Sequence, residues 1–245
     1  MGLERTGTTF LQRNVFPFFD NVYYIPKRKY SLAPQLIRES TSNKILVSRE
    51  FNRGFTEAIN QFSHDVKATV IPIIILRRHD QWVLSLYKRE LKNGQIITFK
   101  SFIDHYLNED ALRFHEKCIH LIETFGQVHL LFYDHLKNDP VEFLEEIQSI
   151  LDCPVKWEKV NFNSIHSSYT THQLKFIYLI GSKISPILIQ YKIPRYFLLY
   201  LAILLPGYWL DGIKIYSNLE LDNIRKQTEA DWQKCLSLSK MIVEK

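Results

Sequence analysis

The sequence predicts an α/β protein, a three-layer α/β/α arrangement around a central parallel sheet with a mainly helical C-terminal part. Three observations carry this. Strand-like, mostly apolar segments at Lys44–Val47, Val70–Leu76 and Val128–Phe132 alternate with segments of helical periodicity, which is the rhythm of strand–helix–strand units. The longest of these runs is apolar throughout, as a parallel strand covered on both faces requires. Finally, the chain opens on a glycine-containing turn, Gly2-Leu3-Glu4-Arg5-Thr6-Gly7-Thr8-Thr9, that passes directly into a helical pattern.

That turn spaces two glycines by four residues and follows them with two hydroxyl side chains, Thr8 and Thr9. It has the P-loop NTPase-like outline of a loop whose backbone N–H groups wrap an anionic oxygen cluster. The nucleoside-triphosphate version places Lys directly after the second Gly; Thr8 stands there, and Arg5 is the cation of the loop. A plain turn capped by Thr6 or Thr8 is the alternative, with Gly7 present for its backbone freedom. Such a loop follows a strand, and only Met1 precedes Gly2, so the first strand reads as missing or truncated. The expectation is a gene product, or relatives, beginning about five to eight residues earlier, unless a neighbouring strand closes the gap.

In order along the chain, Thr9–Val15 reads as a short helix ending before Pro17, and Asn21–Ile25 as a strand stopped by Pro26. Ser31 caps a predicted helix to Glu39, and the strand Lys44–Val47 leads into Ser48-Arg49-Glu50-Phe51. Phe55–Phe62 reads as a covering helix, and Val70–Leu76 as the strand that delivers Arg77 to its carboxyl end. Gln81–Lys92, Phe99–Leu107 and Ala111–Phe125 follow as helices, the last with Leu112, His115, Ile119 and Ile122 on one stripe. After the strand Val128–Phe132 comes Tyr133–Pro140 and a helix from Val141 to Leu151, where Pro140 suits the first turn because its missing N–H is already without a partner there.

With 245 residues, 46% of them hydrophobic, the chain can bury a full core. The net charge of +5 suits an anionic ligand, but the basic residues are dispersed and do not point to nucleic acid. Cys118, Cys153 and Cys235 lack metal-site spacing and read as core thiols of a reducing compartment. The first residues do not have the pattern of a signal peptide, so a cytoplasmic location is expected.

Arg5-Thr6-Gly7-Thr8-Thr9, together with Arg77 at a strand end and Ser85 eight residues on, resembles the sulfotransferase family that uses 3′-phosphoadenosine 5′-phosphosulfate (PAPS). The resemblance spans roughly residues 1–165, and Tyr133–Pro140 and Asn161–Ser164 are similar to turns of the same family. It implies that Arg5, Thr6, Gly7, Thr8 and Thr9 hold the 5′-phosphosulfate, with Arg5 in the family's usual Lys position. It implies further that Arg77 and Ser85 hold the 3′-phosphate, that Glu50 is the base for an acceptor hydroxyl, and that no metal is required. Glu50 fits equally a helix N-terminal carboxylate favoured by the dipole. The acceptor class implied is a carbohydrate or glycan, with a lipid-linked glycan or small alcohol as variants. The rival readings are an ATP-dependent P-loop kinase or phosphotransferase and a degenerate, non-catalytic member of the fold.

Residues 1–165 are thus expected to form the PAPS-binding core and 166–245 a mainly helical extension packed on it. Within the extension, Tyr196–Leu205 is wholly apolar but about half the length of a bilayer-spanning helix. A buried core helix is the first reading; a peripheral contact with the inner membrane surface through 194–207 is the second.

Overall fold

The computed structural model describes residues 2–51, 54–106, 109–162, 170–184, 191–204, 210 and 212–243. It is an α/β fold with parallel strands and surrounding helices, and it divides into two compact units. The first comprises Met1–Arg77, Arg113–His166 and Ala230–Lys245; the second comprises Arg78–Leu112 and Ser167–Glu229. Residues 78–112 therefore group with 167–229, a division that differs from a single boundary near 165.

In the first unit, β1 (Gly2–Leu3), β4 (Glu50–Phe51), β5 (Ile73–Leu76) and β6 (His129–Phe132) form a parallel sheet in the order β4-β1-β5-β6. Gly2 and Leu3, read from sequence as lying beyond the first strand, themselves form it and pair on both sides. A second parallel pair joins β2 (Tyr23–Ile25) to β3 (Ile45–Val47). The sheet expected to be continuous changes partner at Ser48–Arg49: Ser48 N–H donates to Ile25, while Arg49 C=O accepts from Gly2.

Both faces of the main sheet are covered, because successive residues Ile74, Ile75 and Leu76 point to opposite sides and are all buried. On one side, α1 (Thr8–Asn14), α7 (Tyr133–Asn138) and α8 (Pro140–Leu151) supply Phe10, Leu11, Leu136, Phe143 and Ile147 to a core around Ile75 and Leu131. Asp139 caps α8 by accepting from Val141 and Glu142 N–H, with Pro140 in its first turn. At the other end, Lys44 Nζ donates to the Leu151 and Asp152 carbonyls. An apolar cavity of about 470 Å³ lies among Ile45–Val47, Val70–Ile73, Thr8 and Ile147. Part of its wall, Ser42–Lys44 and Ala68–Pro72, comes from the amino-terminal side of β3 and β5.

α3 (Phe55–Asp65) packs against α6 (Phe114–Phe125). The buried stripe of α6 is Phe114, Cys118 and Leu121, one step round from the predicted Leu112, His115, Ile119 and Ile122, which are half-buried. Periodicity reported a helix, but both stripes are apolar enough that packing partners chose between them. Cys118 and Cys235 are buried; the bond from Cys118 and then burial push the Cys235 thiol up. Likewise α2 (Ala33–Glu39) begins after a 3₁₀ segment, Lys27–Leu32, without the predicted Ser31 cap.

The second unit contains α4 (His79–Lys92), α5 (Phe99–Tyr106), α9 (Thr171–Leu179), α10 (Lys192–Leu204) and the start of α11 (Asn218–Val243). Its buried Asp80 stands between Arg225, at 3.0 Å, and Arg78, at 3.7 Å, and Arg78 also pairs with Glu229. Tyr87, fully buried against Phe99 and Phe102, donates its hydroxyl to the Ile97 carbonyl at 2.9 Å. Burial first, then Tyr178 and Glu220, push its phenol above the usual range, so it acts as a donor at all ordinary pH. Tyr87→Phe should therefore cost about 1 kcal/mol in chemical denaturation, the net worth of a hydrogen bond donated by a buried phenol to a half-buried residue's carbonyl.

α10 corrects the reading of Tyr196–Leu205 as a buried core helix. Leu199 and Ala202 are buried, but Phe197, Tyr200 and Ile203 are 62–64% exposed. Residues 205–207 of the apolar segment, and Asn163–Ser164, lie outside the described residues. No helix among the described residues is long and apolar enough to cross a membrane.

Candidate functional site

Four parallel strands of the first unit end on the same edge, and each delivers polar groups there. This is the edge at which open α/β sheets bind ligands. From β1 the chain enters Glu4-Arg5-Thr6-Gly7 and then α1. Glu4 N–H donates to Phe51 C=O, holding the loop to β4, and Thr6 Oγ1, fully buried, donates to Leu3 C=O at 2.7 Å. Arg5 (φ 67°) and Gly7 (φ 82°) both adopt left-handed conformations, and the backbone N–H groups of Phe10 and Leu11 close onto Gly7 C=O. Changes of handedness of this kind turn successive N–H groups toward one concave side. At Arg5 the conformation costs about 1–2 kcal/mol, strain of the sort found at binding sites.

Gly7 has a further constraint: a β-carbon there would collide with Leu136 of α7 and crowd the ring of Tyr133. Gly7→Ala should lower stability by about 2–4 kcal/mol, combining left-handed strain with overpacking, as a shift in denaturation midpoint would show.

The hydroxyls of Thr8 and Thr9 both donate to Glu50 Oε1, at 2.5 and 3.3 Å. Lys27 Nζ, just after β2, holds Oε2 at 2.6 Å, and the Glu50 side chain is 12% exposed. Burial pulls the Glu50 carboxyl upward, but the bonds from Lys27, Thr8 and Thr9 together outweigh it and leave it below the usual carboxylate range. Glu50 is thus an ionised anchor that ties the loop's hydroxyls to β4.

Arg77, at the end of β5, donates from Nη1 to the Arg5 carbonyl at 3.3 Å. Its guanidinium lies 4.6 Å from the ring centroid of Tyr133, the first residue after β6. The loop, Glu50 and Arg77, distant in sequence, therefore meet at one sheet edge. Ser85 belongs to the second unit, where it is buried within α4.

Lys27 and Tyr133 were not singled out by the sequence reading. Lys27 follows β2 after one proline, the same strand-end placement that marked Arg77, and this was its available signal. Tyr133 opens the segment Tyr133–Pro140, which is similar to a turn of the family, and nothing local announces its ring as the support for Arg77. Among the described residues no group of three or more His, Cys, Asp or Glu is arranged to hold a metal ion.

No protein-family model matches the chain, and no curated protein matches it. Among solved structures, the crystal structure of a sulfotransferase from Alicyclobacillus acidocaldarius is similar, with a TM-score of 0.52 over 71% of this chain and 86% of that one. The two sequences are 13% identical, so the likeness is one of fold.

Proposed function

We propose that the chain is a PAPS-dependent sulfotransferase that forms a sulfate ester on a hydroxyl of a carbohydrate or glycan acceptor. The observation that carries this reading is the meeting of the Arg77 guanidinium with the backbone carbonyl of Arg5, in the glycine loop whose Thr8 is bonded to Glu50. Two guanidinium-bearing residues beside a concave loop suit a ligand with two separate anionic groups. The similar fold of a named sulfotransferase supports the same class.

The donor supplies an activated sulfuryl group: its bond to the bridging 5′-phosphate oxygen breaks as a bond from sulfur to the acceptor oxygen forms. The N–H groups from Arg5 to Thr9 hold the 5′ side, and Arg5 donates to the bridging oxygen as negative charge develops there. Arg77 grips the 3′-phosphate; Ser85 is assigned to that phosphate on the sequence resemblance alone. Glu50 accepts the acceptor's proton. For this, Thr8 and Thr9 turn their hydroxyls from Glu50 Oε1 to the donor, which frees that oxygen and raises its affinity for a proton. Lys27 keeps Oε2 in place and so orients the carboxylate.

Calorimetric titration with 3′-phosphoadenosine 5′-phosphate, against ATP with Mg²⁺, tests the reading. One-to-one binding of the former and none of ATP is expected. Binding of ATP alone would favour the phosphotransferase reading, and binding of neither would favour the non-catalytic one; either would overturn the proposal.

A further inference from the structure

We propose that α10 is a membrane-surface helix, which seats the second unit on an anionic bilayer with its axis in the plane of the headgroups. Phe197, Tyr200 and Ile203 recur at i, i+3 and i+6, so they share one face, and each is 62–64% exposed. The opposite face, Leu199 and Ala202, is buried against the core that includes Ile177 and Ile180 of the same unit. Tyr191, immediately before the helix, is 64% exposed. A run of large apolar side chains held in water by a helix whose other face is satisfied marks an interaction surface.

Charge selects the partner. The 44 residues from Ser167 to Leu210, all in the second unit, contain four Lys or Arg and no Asp or Glu, although the chain as a whole has 26 acidic residues in 245. An average stretch of that length would hold about five. Lys183 and Lys214, on either side of the helix in sequence, are exposed. A basic, acid-free segment around an aromatic-aliphatic face matches negatively charged lipid headgroups over acyl chains, and tyrosines suit the boundary between the two. The helix has 13 residues and so is about 20 Å long, too short to span the roughly 30 Å hydrocarbon layer. It lies on the surface. This proposal does not depend on the assignment of the donor site.

The test is co-flotation of the whole chain with vesicles of phosphatidylcholine alone and of phosphatidylcholine with phosphatidylglycerol. Binding to the anionic vesicles, at least tenfold stronger than to the neutral ones and weakened by salt, is expected. The variant F197S/Y200S/I203S should lose most of that binding while keeping the wild-type melting temperature, since all three side chains are exposed. K183E/K214E should weaken it and flatten its salt dependence. Failure of the wild type to float with either vesicle, or equal flotation of the triple variant, would overturn the proposal. So would a concentration-dependent dimer that the triple variant abolishes without any vesicle binding, because a second copy would then be what covers the face.

Discussion

Glu50→Gln is expected to lower sulfuryl-transfer turnover by about 10²–10⁴-fold, the usual contribution of a positioned general base. Binding of 3′-phosphoadenosine 5′-phosphate should be retained, because the amide oxygen still accepts from Thr8 and preserves the loop. The amide nitrogen, however, faces Lys27 as donor against donor, so a loss of about 1–2 kcal/mol in stability should accompany the change. Unchanged turnover would remove Glu50 as the base.

The same residue fixes the pH behaviour. Its carboxyl lies below the ordinary range in the folded chain. Its contribution to stability is therefore full above the unfolded value of about 4.3 and is lost as pH falls through the lower folded value. Wild type should lose this increment on acid titration, and Glu50→Gln should not. If Thr8 and Thr9 pass to the donor, the carboxyl rises in the complex. The acid limb of kcat should then lie at higher pH than that of kcat/KM, which reports the free enzyme.

Arg77→Ala is expected to weaken 3′-phosphoadenosine 5′-phosphate binding by more than tenfold, consistent with the roughly 1.5–3 kcal/mol of a charge-assisted contact. Arg77 also holds the Arg5 carbonyl and stacks on Tyr133, so part of the loss comes from a looser loop. Arg77→Lys separates the two roles: it keeps the charge but not the planar stack, and should recover only part of the affinity. A melting curve on each variant shows how much of the effect is structural. Equal binding by wild type and Arg77→Ala would remove the assignment of the 3′-phosphate to this residue.

By itself the sequence determined what short-range geometry governs. The handedness needed at Gly7, the cap built by Asp139 before Pro140 and the strand that ends at Arg77 all follow from neighbours within a turn or two. Tertiary structure decided the rest. Glu50 is joined to Thr8 and Thr9 across about forty residues of chain, and Lys27 completes the pair from a third strand end. None of these three bonds is encoded in local spacing. The change of partner at Ser48–Arg49, the choice of the Cys118 face of α6 and the exposure of Phe197 and Tyr200 have the same origin. Periodicity shows that a helix has an apolar stripe, but which stripe is covered depends on the surface that arrives opposite it, and that surface comes from a distant part of the chain.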